Sequence, residues 1–333
     1  MTERENILRM FQGKEPCWLP LGPKSMYCVG KLIADIERPH IQEGYDWFGV
    51  HWLPQKAFGR VITHPDVNQV PIIKDITNWR AELKFPDIDA LDWDTFQKDV
   101  EEDAKNINGR LSFIRLENGL WERLTLLMGF ENALVALLLE PDACREYAEA
   151  MADFKIRLHD RLLDLYPYDL AIYMEDLGST NGPLMSLETY RYIFKEPVRR
   201  VLSHIKAKGP HVGFHSCGRM EMFVQDIIDM GAELLNPVQT WNDQVALKKR
   251  FGKQIIFYGG LNNQQITEVA YPEEDKIRGE VQRVVDALAH GGGLIIEMRD
   301  RNTALNGIDV PAILYDEFQK YTQGLYSACA NNC

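Results

Sequence analysis

The stretch His211-Val-Gly-Phe-His-Ser-Cys-Gly218 decides the reading of the fold. An apolar run of strand length ends in polar side chains, and a glycine then lets the backbone turn into a helical pattern over 219–230. The same grammar recurs downstream and upstream. Leu170-Ala-Ile-Tyr-Met174 precedes a helix expected at 187–207, Glu233-Leu-Leu-Asn236 one at 243–250, Gln254-Ile-Ile-Phe-Tyr258 one at 273–289, and Gly293-Leu-Ile-Ile296 one at 310–323. Leu111-Ser-Phe-Ile-Arg-Leu116 reads as a strand, and 121–139 and 141–164 as helices, with Pro141 in the first turn of the second. Strands alternating with helices predict parallel βαβ units. These six strands, one more near 18–23 and another before 110 make an eight-stranded (β/α)8 TIM barrel, an α/β fold. A doubly wound open sheet is the alternative. It would usually carry a G-x-G-x-x-G turn after its first strand, and none occurs here.

Outside the repeats, residues 3–12 predict a short helix, and 24–110, rich in Pro, Asp and aromatics, predict long loops. The whole chain, 1–333, therefore reads as one barrel domain, with 1–110 an irregular N-terminal portion covering it and 111–325 its regular repeats. At 45% hydrophobic and 26% charged residues the composition is that of a globular protein. Lys and Arg number 37 against 49 Asp and Glu, a net charge of −12, which argues against nucleic acid or an anionic membrane surface as partner. No apolar run reaches the roughly 18 residues of a membrane span. The charged opening Met1-Thr-Glu-Arg-Glu-Asn6 looks unlike a signal peptide, so a cytoplasmic, reducing setting is expected, with Cys17, Cys28, Cys144, Cys217, Cys329 and Cys333 as thiols.

Barrels of this class carry their chemistry at the C-terminal ends of the strands. Those ends read Glu117-Asn118, Glu175-Asp176, His215-Ser-Cys217, Asn236-Pro-Val-Gln239, Gly259-Gly-Leu-Asn262 and Glu297-Met-Arg-Asp300. On an extended segment His215 and Cys217 point the same way, an imidazole and a thiolate that suit zinc. The alternative is a buried cysteine beside a hydrogen-bonded histidine. Asp300 is the candidate third ligand, with Glu297, Glu175 and the terminal Cys329 and Cys333 as alternatives. Glu175 and Asp176 are candidate general acid or base, and being adjacent on a strand they face opposite ways. Met26, Tyr27 and Trp121, together with Trp47 and Trp52, are candidates for an apolar substrate lining. Glu117, Asn236, Gln239, Asn262 and Glu297 are candidates for polar substrate contacts. His64 and His159 look like surface residues.

These motifs together resemble the uroporphyrinogen decarboxylase superfamily, and within it the corrinoid-linked methyltransferases. Glu5-Asn-Ile-Leu-Arg-Met-Phe-Gln-Gly-Lys-Glu-Pro16 is similar to the family's opening helix, and Asp46-Trp-Phe-Gly-Val-His-Trp52 to its D-x-F-G-x-x-W segment. Glu175-Asp-Leu-Gly-Ser179 with Gly182-Pro-Leu-Met-Ser186 resembles its D-D-L-G…G-x-x-x-S stretch. His215-Ser-Cys-Gly218 resembles its H-x-C-G element, and Asn236-Pro-Val-Gln239 and Phe257-Tyr-Gly-Gly-Leu261 its next two strand ends. The likeness to the decarboxylase proper is poor. Its arginine-bearing R-Q-A-G-R-Y loop, which binds a polycarboxylate porphyrinogen, corresponds here to Leu21-Gly-Pro-Lys-Ser-Met-Tyr27, with one lysine and no arginine.

The resemblance implies a (β/α)8 barrel and zinc held by H-x-C plus a cysteine after the last strand. Aligned on Gly292-Gly-Leu-Ile-Ile296, that cysteine position is Asp300. A carboxylate in place of a thiolate makes a harder Lewis acid and favours oxygen ligands. The implied reaction is methyl transfer between a small methyl ether, methylamine or thiol and the cobalt of a corrinoid. Nothing here is similar to a D-x-H-x-x-G corrinoid-binding module, so the corrinoid (cobalamin) is expected on a separate partner protein. Two other readings are metal-free decarboxylation of a small aromatic or pyrrolic acid and a non-enzymatic docking partner of a corrinoid carrier.

Overall fold

The computed structural model describes residues 1–57, 60–298 and 302–326. Seven parallel strands follow one another around a ring: β1 (Met26–Cys28), β2 (Leu111–Leu116), β3 (Leu170–Met174), β4 (His211–His215), β5 (Leu234–Val238), β6 (Ile256–Gly259) and β7 (Leu294–Ile296). Each pairs in parallel with the next in the chain. The strand expected at 18–23 shrinks to one parallel bridge, Leu21 to Ile296, with Pro20 O accepting from Ile296 N at 3.0 Å. The physical reason is local: Pro20 and Pro23 bring no N–H to a ladder. A helical turn, Gly22–Ser25, then carries the chain from this bridge into β1, so the sheet closes on itself as an α/β barrel with an N-terminal extension.

Helices cover the outer face of the sheet, which is why strands such as β3 are apolar throughout rather than alternating. Inside, Met26, Leu111, Leu170, Ile172, Leu234, Ile256 and Ile295 form one cluster with Ile7 and Met10 of helix α1 (Glu3–Phe11). Helix α1 thus plugs the N-terminal end of the barrel, and the polar strand ends collect at the other. Among the described residues no helix is long and apolar enough to cross a membrane.

The stretch 24–110 is more regular than its composition predicts. It holds helix α2 (Lys31–Glu37), an antiparallel sheet of Gly44–Tyr45, His51–Ala57 and Arg60–Pro65, and helix α3 (Trp93–Asn106). The elements of two to seven residues are too short for a periodic signal to emerge from the background, whereas α3, at 14 residues, is not. The helix expected over 121–139 is two, α4 (Leu120–Met128) and α5 (Phe130–Leu139), broken where Gly129 takes φ +79°. Helix α6 (Pro141–Leu165) then runs unbroken for 25 residues. Cys28 and Cys144 are free thiols, but Cys17 is disulfide-bonded, which corrects the all-thiol expectation.

A buried ionic network ties the N-terminal extension to the barrel. Arg123 of α4 is fully buried; its Nη1 lies 2.5 Å from Asp46 and its Nη2 3.1 Å from Glu37. Lys155 of α6 donates to Glu37 at 2.5 and 2.6 Å and to Glu117 O at 2.7 Å. Asp46 also accepts the backbone N–H groups of Phe48 (2.9 Å) and Val50 (3.0 Å) and the Trp52 indole N–H (3.2 Å). Gly49 meanwhile turns the loop at φ +85°. The Asp46-to-Trp52 motif is therefore a self-capped turn that delivers one carboxylate to Arg123. Its tryptophans are core: Trp52 is buried, and Trp47 packs on Phe48 and Phe154.

Removing one partner of such a pair leaves the other charge buried and uncompensated, at about 3–5 kcal/mol. Asp46→Ala and Arg123→Met are each expected to lose about that much in urea denaturation, and the double variant less than their sum. Additive losses would show that the two side chains do not act together.

His159 of α6 is 1% exposed, which overturns its reading as a surface residue. Burial, and then the charge of Lys155, push its pKa down to about 3. In the unfolded chain it titrates near 6.5, so between those limits the unfolded state binds the extra proton and stability falls as pH drops. The urea midpoint is expected to fall from pH 7 to pH 5 by less in His159→Phe than in the unchanged protein. An equal fall in both would remove His159 from that account.

Candidate metal centre

The site grows from the neighbouring ends of β3 and β4. Met174 and His215 are in register, and Glu175 N continues the ladder to His215 O at 3.0 Å. Beyond this point the two loops run in contact because both carry glycine. A Cβ on Gly218, whose φ is +80°, would stand 2.4 Å from the Gly178 carbonyl carbon, and one on Gly178 would stand 2.6 Å from Arg219 O. Leu177 N donates to Ser216 Oγ at 2.9 Å, Cys217 N to Asp176 Oδ1 at 2.6 Å, and Arg219 N to Ser179 O at 2.8 Å. The Glu175-Asp-Leu-Gly and His215-Ser-Cys-Gly motifs thus form one interlocked unit.

This unit brings three ligand types together. Cys217 Sγ is 3.5 Å from His215 Nε2, which is 3.6 Å from Asp176 Oδ1, and the three ligand atoms lie within 4.8 Å of one another. For zinc bonds of ~2.0–2.3 Å in tetrahedral array, the ligand-to-ligand edge is ~3.5 Å. Among the described residues, this donor set and its spacing fit zinc. From sequence Asp176 reads as an acid–base group; the missed signal is that Met174 is in register with His215, and Asp176, two residues on and just past β3, continues its alternation toward that side. Asp300, the expected third ligand, lies outside the described residues, as do Cys329 and Cys333.

Two of the residues expected to touch substrate instead hold the triad. Asn236 Oδ1 is 2.8 Å from His215 Nδ1, and Gln239 Oε1 accepts from Gly218 N at 2.6 Å. Glu175 points the other way from Asp176. It is fully buried, its Oε1 accepts Trp121 N at 2.9 Å at the start of α4, and its Oε2 fills the space a Cβ on Gly119 would take, 1.7 Å away. Burial pushes its pKa up to about 8 against the pull of those helix N–H groups.

Glu122, not singled out from sequence, is half-buried on the first turn of α4. Its carboxyl is held well above the ordinary range by burial and then by the charges of Asp176, Glu175 and Glu117. A glutamate three residues into a helix ordinarily reads as a cap, which hid it. Glu117 is 4% exposed and pairs with Arg115 Nε at 3.0 Å and with His40 Nε2 at 3.6 Å. Burial raises its pKa, but His40 and Arg115 outweigh that and hold it at about 2. Glu297 stands half-buried just beyond β7.

Four expected substrate contacts are elsewhere. Met26 belongs to the apolar barrel floor. Tyr27 turns outward to Asp103 of α3, with its hydroxyl 3.0 Å from Oδ1. Trp121 is 1% exposed and packs on Phe130 and Phe194. Asn262 caps the turn that follows it, accepting from Gln265 N at 3.2 Å. Strand alternation sets the directions of Met26 and Tyr27, helix packing that of Trp121, and a loop turn that of Asn262.

The family described as uroporphyrinogen decarboxylase (URO-D) matches residues 50–298. Among solved structures, a methyltransferase from Methanosarcina mazei superposes with a TM-score of 0.65 at 13% identity, covering 96% of this chain and 99% of that one. A sugar phosphate isomerase/epimerase from Parabacteroides distasonis aligns at a TM-score of 0.32 and 10% identity, over 67% of this chain and 74% of that one. No curated protein sequence is significantly similar to the chain.

Gly218→Ala tests the interlocked loops, because both the positive φ and the Gly178 backbone exclude a methyl group. It is expected to cost about 1–3 kcal/mol in urea denaturation and to abolish stoichiometric zinc binding. Gly279→Ala, with open space around it and no such φ, is expected to keep zinc binding. Unimpaired zinc binding by Gly218→Ala would refute the packing argument.

Proposed function

The chain belongs to the uroporphyrinogen decarboxylase family, and on that premise we propose that it moves a methyl group between a small substrate and the cobalt of a separate corrinoid protein. The observation that carries the reading is the mixed oxygen, nitrogen and sulfur donor set of Asp176, His215 and Cys217 at zinc spacing. When bound, zinc supplies a Lewis acid for the heteroatom that carries or accepts the methyl group. The rest falls to the chain's own side chains. His215 and Cys217 would hold the ion, and Asp176 is the proposed carboxylate ligand in preference to Asp300. A carboxylate in the set suits an oxygen-bearing donor, a methyl ether before a methylamine or a thiol.

Glu122, whose carboxyl burial pushes above the ordinary range, is the proposed proton donor to the leaving heteroatom, the role that the sequence suggests for Glu175 and Asp176. Glu175 holds α4, and so Glu122, against the triad. Glu117, with Arg115 and His40, and Glu297 are proposed to line the substrate space. The corrinoid protein is proposed to dock at the open end of the barrel, because α1 seals the other. A cytoplasmic setting remains part of this proposal.

Metal analysis and a spectroscopic assay test it together. The purified protein is expected to hold one zinc, lost in Cys217→Ala and in Asp176→Ala and retained in Asp300→Ala. With a reduced corrinoid protein and a panel of methoxylated aromatics, methylamines and thiols, one donor class is expected to convert cob(I)alamin to methylcobalamin by absorbance. Glu122→Gln is expected to slow that conversion about 10²–10⁴-fold with zinc retained. No conversion with any donor in either direction overturns the reading, and full activity of metal-free protein on a small carboxylic acid replaces it with decarboxylation.

A further inference from the structure

We propose that Asn236 is a positioning residue that fixes the tautomer of His215, so that the imidazole presents a lone pair to the ion. The argument starts at a backbone carbonyl. Asn236 Nδ2 faces Tyr258 O at 3.5 Å, and a carbonyl oxygen only accepts. The amide nitrogen must therefore face Tyr258, which turns Oδ1 the other way, to His215 Nδ1 at 2.8 Å. An amide oxygen also only accepts, so Nδ1 carries the proton. In the neutral imidazole the lone pair then sits on Nε2, the atom 3.5 Å from Cys217 Sγ and 3.6 Å from Asp176 Oδ1.

Strand register supplies the rigidity. Asn236 of β5 pairs with His215 of β4, and Ser216 N donates to Asn236 O at 2.8 Å, so both backbones are fixed where the side chains meet. Asn236 is 8% exposed, so little water reaches the amide to compete. Gln239, three residues on, holds Gly218 N at 2.6 Å and sets where Cys217 follows. One short segment, Asn236-Pro-Val-Gln239, thus aims both ends of the His-Ser-Cys-Gly motif without touching the ion itself. Partners of this kind are commonly worth 10–100-fold in metal affinity.

The inference rests on the metal-binding part of the proposed function, and two measurements separate the failure of one from that of the other. In metal-free protein, two-bond nitrogen–proton NMR correlations of His215 are expected to show protonation at Nδ1. Protonation at Nε2 alone overturns the proposal whether or not zinc binds. In zinc competition against a chelator, Asn236→Leu is expected to weaken binding 10–100-fold, while Asn236→Asp, which keeps the acceptor, stays within a few-fold of the unchanged protein. Equal affinity of Asn236→Leu and unchanged protein, or equal weakening in both variants, overturns it. Should Asn236→Leu not fold, as read by its melting curve without metal, the NMR result on the unchanged chain decides. An unchanged protein that binds no zinc but shows the Nδ1 tautomer refutes the metal reading and leaves Asn236 as an orienter of a metal-free histidine.

Discussion

The buried guanidinium of Arg123 is the constraint on which the arrangement of this molecule depends. A charge with no exposure must be neutralised where it stands. Here the neutralising carboxylates come from far away in sequence, Glu37 at the end of α2 and Asp46 in the turn after it. Neither can move without stranding the arginine, and Lys155 from α6 locks Glu37 from the opposite side. The N-terminal extension is thereby registered on α4, the helix whose first turn carries Glu122 and whose N-terminus is held by Glu175. Structural and chemical carboxylates are kept apart by this division. Those matched by a buried cation serve the fold, while Asp176, 38% exposed, gathers with an imidazole and a thiol.

The barrel itself was legible in the chain because each strand–helix unit after residue 110 repeats one pattern, and because parallel strands covered on both faces are apolar throughout. The ends were legible too, since polarity at His215, Cys217 and Asp176 interrupts those runs. Lost were the short elements between 24 and 110, whose order comes from contacts distant in sequence, such as Asp46 with Arg123. Lost also were the side-chain directions within the strands and just past them. Met26 and Tyr27 are neighbours, yet one faces the floor and the other a helix outside the ring. Only the register of adjacent strands shows that Asp176 shares a side with His215 while Glu175 does not.

The same register explains why residues that looked like substrate contacts became supports. Asn236 and Gln239 sit at a strand end, where loop polarity and ligand polarity are indistinguishable in a sequence. What distinguishes them is the neighbouring strand: each meets a group of the His-Ser-Cys-Gly turn at hydrogen-bond distance. The outer layer of the site is therefore written in strand pairing, and the inner layer in residue type.

The plug of Ile7 and Met10 in the barrel floor has a kinetic meaning. With that end closed by packed aliphatic side chains, the described residues leave the triad to be approached from the opposite end. A small molecule and a macromolecule that both reach it share that doorway, and the larger blocks it for the smaller. Under the proposed function, encounters would then follow a compulsory order, small molecule first in and last out, with the residence time of the larger guest capping the turnover of the smaller.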